Sequence, residues 1–449
     1  MRGAEMAALD PRQHYGEAFE RFERGLGTTA PGWLKALRKD AFARFAELGF
    51  PTTKQEEWRY TSVAPIAERA FELASDGAAA LSREDVEHSS FPVYACSLFV
   101  FVNGRFAPRL SAPRALSGSP CVESLARVLE QAPERVELQL AKLAPYEASP
   151  FVALNTAFLH DGALVQVPEG VAVEAPIHVV YLSLPDHSPR VSHPRTLVRI
   201  GRRARATVIE DYVSLGAGPC FTNAVSEVRL ESGAELDLVR LQREGDPNFH
   251  VSSVHMEQTR DSRFTAHDLS LGGALVRKDV SALLAGEGAE CTLDGLYIAS
   301  RQELVDNHTL IDHARPHGTS RELYKGILSG TARGIFHGKI VVREGSRKTD
   351  AYQKNKNLLL SRDAEVDSKP QLEIAADDVK CSHGSTIGQL DEASLFYLQA
   401  RGIDTPSARR LLMRAFASEV TSRIRQEPLR DEIEEILLER LAGEETGQL

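Results

Sequence analysis

One cysteine and one histidine lie two residues apart in the run Asp-Asp-Val-Lys-Cys-Ser-His-Gly, which ends a strand-rich stretch of the chain. Side chains alternate between the two faces of an extended strand, so Val379, Cys381 and His383 are predicted to share one face. A thiolate beside an imidazole can bind zinc, copper or the iron of an iron–sulfur cluster. Two ligands do not complete a site, and the pattern alone favours a small buried cysteine beside a hydrogen-bonded histidine. Cys381 and His383 are therefore candidate metal ligands, and the alternative is that both residues have only a structural role.

A second group of possible ligands lies upstream: Asp306, His308, Asp312, His313 and His317. His313 and His317 have the spacing of a zinc-finger histidine pair, but no paired cysteines lie near them in the sequence. Pro316 also disfavours a helix that would place both imidazoles on one face. We interpret these histidines as surface or inter-strand hydrogen-bonding groups.

The segment Gly334–Lys339 superficially resembles a phosphate-binding loop. A P-loop has four residues between its glycines and a serine or threonine after its lysine. Here three residues separate Gly334 from Gly338, and Ile340 follows the lysine. We therefore expect that this chain does not hydrolyse ATP and that a partner would do so.

Paired carboxylates would suit a polysaccharide lyase or a glycosidase. The candidates for such a pair are Asp350, Asp363, Glu365 and Asp367. Enzymes of this kind are commonly secreted, whereas we expect no secretory signal in the N-terminal run of this chain. The mixture of these acids with Arg343, Arg347 and Lys348 is interpreted as solvated corners or a polar interface. A cytosolic β-helix carbohydrate-active enzyme is kept as the alternative function.

Composition is that of an ordinary globular protein. About 42% of the 449 residues are hydrophobic and 26% are charged, which allows a large core and argues against disorder. The formal net charge of −10 argues against nucleic-acid binding, which requires a basic face. No apolar run approaches the roughly 18 residues of a membrane span. The five cysteines are far apart and form no Cys-x-x-Cys pair, so we expect a cytoplasmic protein without a disulfide framework.

The elements that must position these residues change character along the chain. From Phe151 onward, short strand candidates alternate with polar corners. The strand candidates are Ala163–Val167, Ile177–Leu182, Thr196–Ile200, Ala206–Ile209, Ala224–Leu230, Leu236–Leu241, Val251–Met256, Val280–Leu284, Gly338–Val342 and Leu358–Leu360. The later corners are predicted at Arg343–Thr349, Ser361–Asp363 and Ser368–Pro370. Imperfect repetition of one strand–turn unit predicts a β-solenoid, because a β-sandwich fits the strand count but not the length of the run.

Helical patterns occupy both ends of the chain. Apolar residues recur at helical spacing in residues 15–26 and 34–48, and Trp58 with Tyr60 is interpreted as a staple that fastens this region to the next domain. A later helix is predicted to carry one apolar stripe, formed by Leu412, Phe416, Val420 and Ile424. The C-terminal helices either cap the solenoid or bind a partner. The predicted domains are 1–150, mainly helical; 151–388, a β core; and 389–449, helical.

Six longer motifs recur together in one known family. They are PTTKQEEWRYTSV, NTAFLHDGALVQVPEGV, FHGKIVV, SRKTDAYQKNKNLLLS, DAEVDSKPQLEI and ADDVKCSHGSTIG. As a set they resemble the SufB/SufD scaffold proteins of the SUF iron–sulfur cluster assembly system, and the Cys-Ser-His-Gly ending is similar to the SufD branch. The resemblance implies a mainly β chain with a right-handed parallel β-helix core, flanked by N-terminal and C-terminal α-helical regions.

The resemblance also implies a function. A member of this family is expected to be a non-catalytic scaffold that pairs with a SufB-like subunit through the β-helix ends. A SufC-like ATPase would dock on the C-terminal helices, and this chain itself would bind no ATP. His383 and then Cys381 are the expected ligands of a transient iron–sulfur cluster, or its iron, at the interface with the SufB-like subunit. A homodimer could form when that partner is absent.

Overall fold

The computed structural model describes residues 10–26, 30–89, 96–114, 121–185 and 188–446. Most of the chain forms a β-solenoid of about 8 turns, with helices before and after it. The sequence-based expectation of a mainly β chain with a parallel β-helix core and helical flanks is confirmed. Among the described residues, no helix is long and apolar enough to cross a membrane.

Two sheets form the walls of the solenoid. The strands are β1 Glu72–Leu73, β2 Ser97–Val102, β3 Arg105–Phe106, β4 Cys121–Ser124, β5 Gly162–Val167, β6 Ile177–Ser183, β7 Arg190–Ser192, β8 Arg195–Ile200, β9 Arg205–Ser214, β10 Cys220–Leu230, β11 Glu235–Gln242, β12 Phe249–Gln258, β13 Arg263–Ser270, β14 Leu275–Leu284, β15 Glu290–Ala299, β16 Leu304–His313, β17 Thr319–Leu328, β18 Arg333–Val342, β19 Asp350–Leu359, β20 Glu365–Ile374 and β21 Lys380–Gly388. One sheet has the order β20-β18-β16-β14-β12-β10-β8-β5-β4, and the other has the order β21-β19-β17-β15-β13-β11-β9-β6-β2-β3. Successive strands from β8 to β21 therefore alternate between the two sheets.

Equivalent residues of successive turns stack on one another because the parallel strands pair in register. One inner column of the second sheet contains Ala206, Leu236, Phe264, Cys291, Ser320, Ala351 and Cys381. All of these residues except Cys381 are buried. Each turn thus covers the inner face of the turn before it, which is the arrangement that the repeated strand–turn unit predicts.

The interior also contains a buried ionic column. Arg240 on β11 lies between Glu210 on β9 and Asp268 on β13, with N–O distances of 3.1 and 2.9 Å. Lys278 reaches Asp268 from the opposite sheet. All four side chains are almost fully buried. Burial raises the energy of each charge, so the ionised forms depend on these contacts.

Two predicted corners are turns, and the third is wrong. The chain turns within Arg343–Thr349 and Ser361–Asp363, whereas Ser368–Pro370 lies inside β20 and pairs with residues 336–338 of β18. Pro370 signals a turn in most contexts, but an edge strand can accommodate a residue without an N–H group. β20 is such an edge strand.

The N-terminal helices confirm the helical spacing seen in the sequence. The helices of the chain are α1 Pro11–Gly25, α2 Gly32–Leu48, α3 Ala64–Ala67, α4 Arg83–Ser89, α5 Leu125–Gln131, α6 Glu134–Glu137, α7 Pro150–Ala157, α8 Glu392–Ala400, α9 Thr405–Thr421 and α10 Glu427–Thr446. Asp10 caps the start of α1, and Gly49 ends α2 with a positive φ of 63°. β2 and β4 extend the two sheets backward into this region. The domain boundaries at residues 150 and 388 stay predictions.

Trp58 fastens the N-terminal region to the solenoid, as its sequence context suggested. Its side chain is 9% exposed and packs with Phe151 at a ring distance of 5.3 Å. On its other side, the guanidinium of Arg277 lies 4.2 Å from the ring centroid, a cation–π arrangement. Tyr60 is only half-buried. Trp58 therefore contributes more than Tyr60 to the contact between the N-terminal region and the solenoid.

The C-terminal helices pack on the outer face of the second sheet, but with a different stripe from the predicted one. The buried residues of α9 and its end that join the hydrophobic cluster on this sheet are Met413, Ala417, Val420 and Ile424, whereas Leu412 and Phe416 are half-buried. Residues spaced strictly four apart drift around a helix of 3.6 residues per turn, so a contact face alternates steps of three and four. Leu412 therefore lies at the margin of the contact face.

Candidate metal site at the open end of the solenoid

Cys381 and His383 lie on β21, the last strand of the second sheet. β21 pairs with β19 and, in the described part of the chain, with no further strand. β20 ends the first sheet in the same way. The final turn of the solenoid therefore presents two strand edges whose outward backbone N–H and C=O groups can accept another strand.

The two candidate ligands occupy the inner face of this final turn. Cys381 stands opposite Ala351 and packs at the edge of the main hydrophobic core together with Val379. Burial raises the pKa of the Cys381 thiol, so the thiol stays protonated at neutral pH until a metal ion or another base takes its proton. His383 is exposed and stands opposite Gln353.

His383 ends a polar column that enters the solenoid interior. The column continues from Gln353 to Glu322 in the next turn, where the Gln353 amide donates a hydrogen bond of 2.7 Å to the Glu322 carboxylate. Thr309 donates a second one of 2.6 Å. Burial is the main cause that raises the pKa of Glu322 to about 7. A buried acid that titrates near neutrality thus lies two turns below His383.

Hydroxyl and amide groups join the two sheets next to this column. Ser385 donates to Ser368 across the end of the solenoid at 2.8 Å, and Ser368 donates to Asn355 at 2.8 Å. Asn357 donates to Asn355 at 2.6 Å. The inner face of the open end therefore combines these polar groups with the apolar column that ends at Cys381.

Cys381 and His383 do not form a complete metal site by themselves. Among the described residues, no group of three converging ligand atoms includes either of them. Both side chains lie on the edge strand β21, whose outer edge pairs with no described strand, so the missing ligands would have to come from outside the described residues. Their role as ligands stays a prediction.

A different group of potential ligands does converge, and sequence reasoning missed it. Glu57, His308 and His337 offer atoms that all lie within 4.8 Å of one another. Glu57 Oε2 lies 3.4 Å from His308 Nδ1 and 3.6 Å from His337 Nδ1. The two histidines are neighbours in one column of β16 and β18, and Glu57 comes from the short helical turn that ends at Trp58. The histidine pair could have been found from the sequence, because His308 and His337 occupy equivalent positions of two strands in the repeat. Nothing in the sequence connects Glu57 to them.

The surroundings favour the ionised forms of Glu57 and His308 but the neutral form of His337. The hydrogen bond with His308 is the main cause that lowers the pKa of Glu57 to about 2. Burial opposes protonation of His308, but the Asp306 carboxylate 3.0 Å from its Nε2 raises the pKa of His308 to about 9. Burial lowers the pKa of His337. The polar contacts of His308 are thus with its own strand and with the N-terminal helical turn, not with a neighbouring strand as the sequence suggested.

The remaining sequence candidates occupy structural positions. His313 is buried and hydrogen-bonded to Ser320 at 2.9 Å, while His317 is exposed at a corner. Gly334–Lys339 lies within β18 rather than in a loop, and Lys339 forms an ion pair of 2.7 Å with Glu373. This segment therefore does not have the shape of a phosphate-binding loop.

Three of the four carboxylates considered for a lyase form ion pairs with arginines. Asp350 lies 3.0 Å from Arg321, while Glu365 and Asp367 lie 3.2 and 3.1 Å from Arg333. They belong to strands of different sheets. Their arrangement thus stabilises adjacent turns, and no observation on them favours the carbohydrate-active alternative.

The fold and this end define a parallel β-solenoid protein whose candidate ligands lie on an open edge strand. Two family models match the chain: SUF system FeS cluster assembly, SufBD core domain, over residues 183–416, and SufBD protein N-terminal region, over residues 9–179. The chain belongs to the SufBD family of iron–sulfur cluster assembly proteins.

Its relatives agree with this assignment. The chain is 32% identical to an iron–sulfur cluster assembly SufBD family protein of Synechocystis sp., over 86% of both chains. It is 31% identical to the iron–sulfur cluster assembly protein SufD of Escherichia coli, over 88% of this chain and 90% of the relative. The SufD of Bacillus subtilis is 24% identical over 91% of this chain and 94% of its own. The resemblance seen in the sequence motifs is confirmed, and the chain is SufD-like.

Proposed function

We propose that this chain is a non-catalytic scaffold subunit that pairs with a SufB-like subunit and presents His383 and Cys381 to a nascent iron–sulfur cluster or to its iron. The observation that carries the proposal is the open final turn, which has an imidazole and a thiol on one face of the edge strand β21. Soft sulfur and imidazole nitrogen are ligands that iron–sulfur clusters accept. Family membership and the SufD relatives support the same function.

Pairing at the open end follows from its backbone chemistry. The edges of β20 and β21 leave rows of donors and acceptors that a partner strand would satisfy. Ile374 and Ile387, 46% and 50% exposed, lie on these two strands and would be covered at the same time. Without the partner, the same edges could join two copies of this chain.

A site divided between two chains suits a cluster that must be handed on. Each chain supplies few ligands, so a small movement of one chain opens the site and releases its contents. The two candidate ligands of this chain would then act together with those of the SufB-like subunit. The reducing cytoplasm is the compartment we propose, because all five cysteines are free.

Movement of this kind would come from a SufC-like ATPase bound to the C-terminal helices. Phe396 and Tyr397 on α8 and Leu411 on α9 are 71%, 56% and 45% exposed. Large exposed apolar side chains of this kind mark interaction surfaces. We propose these residues as the docking surface of the ATPase in place of the predicted stripe that contains Leu412 and Phe416, because Phe416 packs against the solenoid.

The decisive experiment replaces His383. In cells that depend on this assembly pathway alone, His383→Ala should abolish or sharply reduce the activity of cluster-dependent enzymes, while the complex still assembles on gel filtration. The stability cost should be small, about 1 kcal/mol, because the side chain is exposed. His317→Ala, at an exposed corner on the same solenoid, is the matched control and should have full activity. Full activity of His383→Ala would remove His383 from the site.

A further inference from the structure

We propose that Glu57, His308 and His337 form a binding site for a divalent first-row transition-metal ion, separate from the open end of the solenoid. The site would lie on the outer face of the first sheet, where the N-terminal region meets β16 and β18. The ion would connect these two parts of the chain.

Two of the three separations between ligand atoms are close to those of a metal site, and all three atoms lie within 4.8 Å of one another. Ligand atoms about 2.0–2.1 Å from a tetrahedral zinc ion lie about 3.3 Å from one another. The Glu57 oxygen lies 3.4 and 3.6 Å from the two Nδ1 atoms. Two imidazoles and one carboxylate are a ligand set that binds Zn²⁺ or Fe²⁺ and leaves coordination positions open for water.

The second nitrogen of each imidazole has the partner that a ligating histidine requires. His308 Nε2 lies 3.0 Å from an Asp306 carboxylate oxygen, and His337 Nε2 lies 2.9 Å from Gln371 Oε1. With the proton of each imidazole on Nε2, both Nδ1 atoms would be free to bind an ion beside Glu57. Metal-binding histidines are oriented by contacts of this kind.

A cation between the three ligand atoms would interact with the Glu57 carboxylate and with both imidazoles at once. The surroundings can neutralise a dication, because Asp306, Asp279 and Glu57 contribute three carboxylates and Arg277 one guanidinium. An ion could reach the site from solvent, since the Glu57 side chain is 63% exposed while both imidazoles are largely buried.

The test measures binding of Zn²⁺ by equilibrium dialysis and of Co²⁺ by its visible absorption, using the full chain. The wild-type protein should bind Co²⁺ with the strong visible bands of low coordination number. Glu57→Gln and His337→Ala should weaken binding by more than about 100-fold, and Gln371→Ala by about 10-fold. Added Zn²⁺ should also raise the melting temperature of the wild-type protein and leave that of Glu57→Gln unchanged.

Glu56→Gln is the matched control, because Glu56 lies on the same helical turn but pairs with Lys369. It should bind both metals like the wild-type protein, and so should His383→Ala, which tests the open end. The proposal is overturned if the wild-type protein shows no such Co²⁺ bands, or if Glu57→Gln keeps them. It is equally overturned if His383→Ala removes them while Glu57→Gln does not, because the ion would then belong to the open end.

Discussion

Glu322 offers a quantitative test of the polar column beneath His383. Folding raises the pKa of this acid from its usual 4.5 to about 7, mainly because the side chain is fully buried. The protonated carboxyl therefore contributes its full stability at pH values below 4.5, and this contribution is lost as the pH rises through about 7. The difference between the two pKa values corresponds to about 3 kcal/mol of lost stability at alkaline pH.

Replacement by glutamine isolates this effect, because it keeps the shape and removes the ionisation. The new amide can donate to the Thr309 hydroxyl and accept from Gln353, so both hydrogen-bond partners of the carboxylate are retained. Between about pH 5 and pH 8, the free energy of unfolding of the wild-type protein should fall by about 2–3 kcal/mol relative to Glu322→Gln. The variant should therefore be the more stable protein at pH 8.

Urea unfolding at a series of pH values, followed by fluorescence and circular dichroism, measures the difference directly. Glu344→Gln, at an exposed corner, is the control and should follow the pH dependence of the wild-type protein. Parallel stability curves for wild type and Glu322→Gln would refute the reasoning, because the carboxylate would then titrate alike in the folded and unfolded chains.

Four further outcomes test other parts of the molecule. Trp58→Ala should lower the free energy of unfolding by about 3–5 kcal/mol; an unchanged urea midpoint would show that the staple contributes nothing. Phe396→Asp should release the ATPase subunit on gel filtration, whereas Leu412→Asp should retain it. The reverse result would show that the predicted stripe containing Leu412 is the docking surface. The isolated chain should show no ATP binding by calorimetry, and Lys339→Ala should not alter the ATPase rate of the assembled complex; measurable affinity would contradict this. Cys381→Ser should reduce cluster-dependent enzyme activity less than His383→Ala does, and an equal or greater loss would make the thiol the principal ligand of this chain.

Periodicity predicted the fold well because each turn of the solenoid repeats the same local pattern. Most strand candidates fall inside the observed strands, but β15, β16, β17 and β20 were not predicted, and neither was β13. The sequence of β13 is Arg-Phe-Thr-Ala-His-Asp-Leu-Ser, in which His267 and Asp268 interrupt the apolar run that would predict a buried strand. Asp268 is buried against Arg240 and Lys278, so tertiary pairing compensates a residue that local propensity disfavours.

The sites were less predictable because their residues are distant in the sequence. Cys381 and His383 could be predicted as a pair because they are two residues apart, a spacing that places both side chains on one face of a strand. Glu57 and His308 are separated by most of the solenoid, and only the docking of Trp58 brings them together. Sequence spacing detects ligands on one element, whereas a site assembled from three elements requires the fold.

The ionic column inside the solenoid also bears on how faithfully the chain folds. A protein built from similar turns can misfold by skipping one turn and pairing the strands on either side of it. If β11 were skipped and β9 paired with β13 in the same alignment, Glu210 would meet Asp268 as an unpaired like charge, and Arg240 would lose both of its partners. Leaving such charges buried costs several kcal/mol. The alternating charges of Glu210, Arg240 and Asp268 therefore favour the correct order of β9, β11 and β13 over a pairing that omits β11.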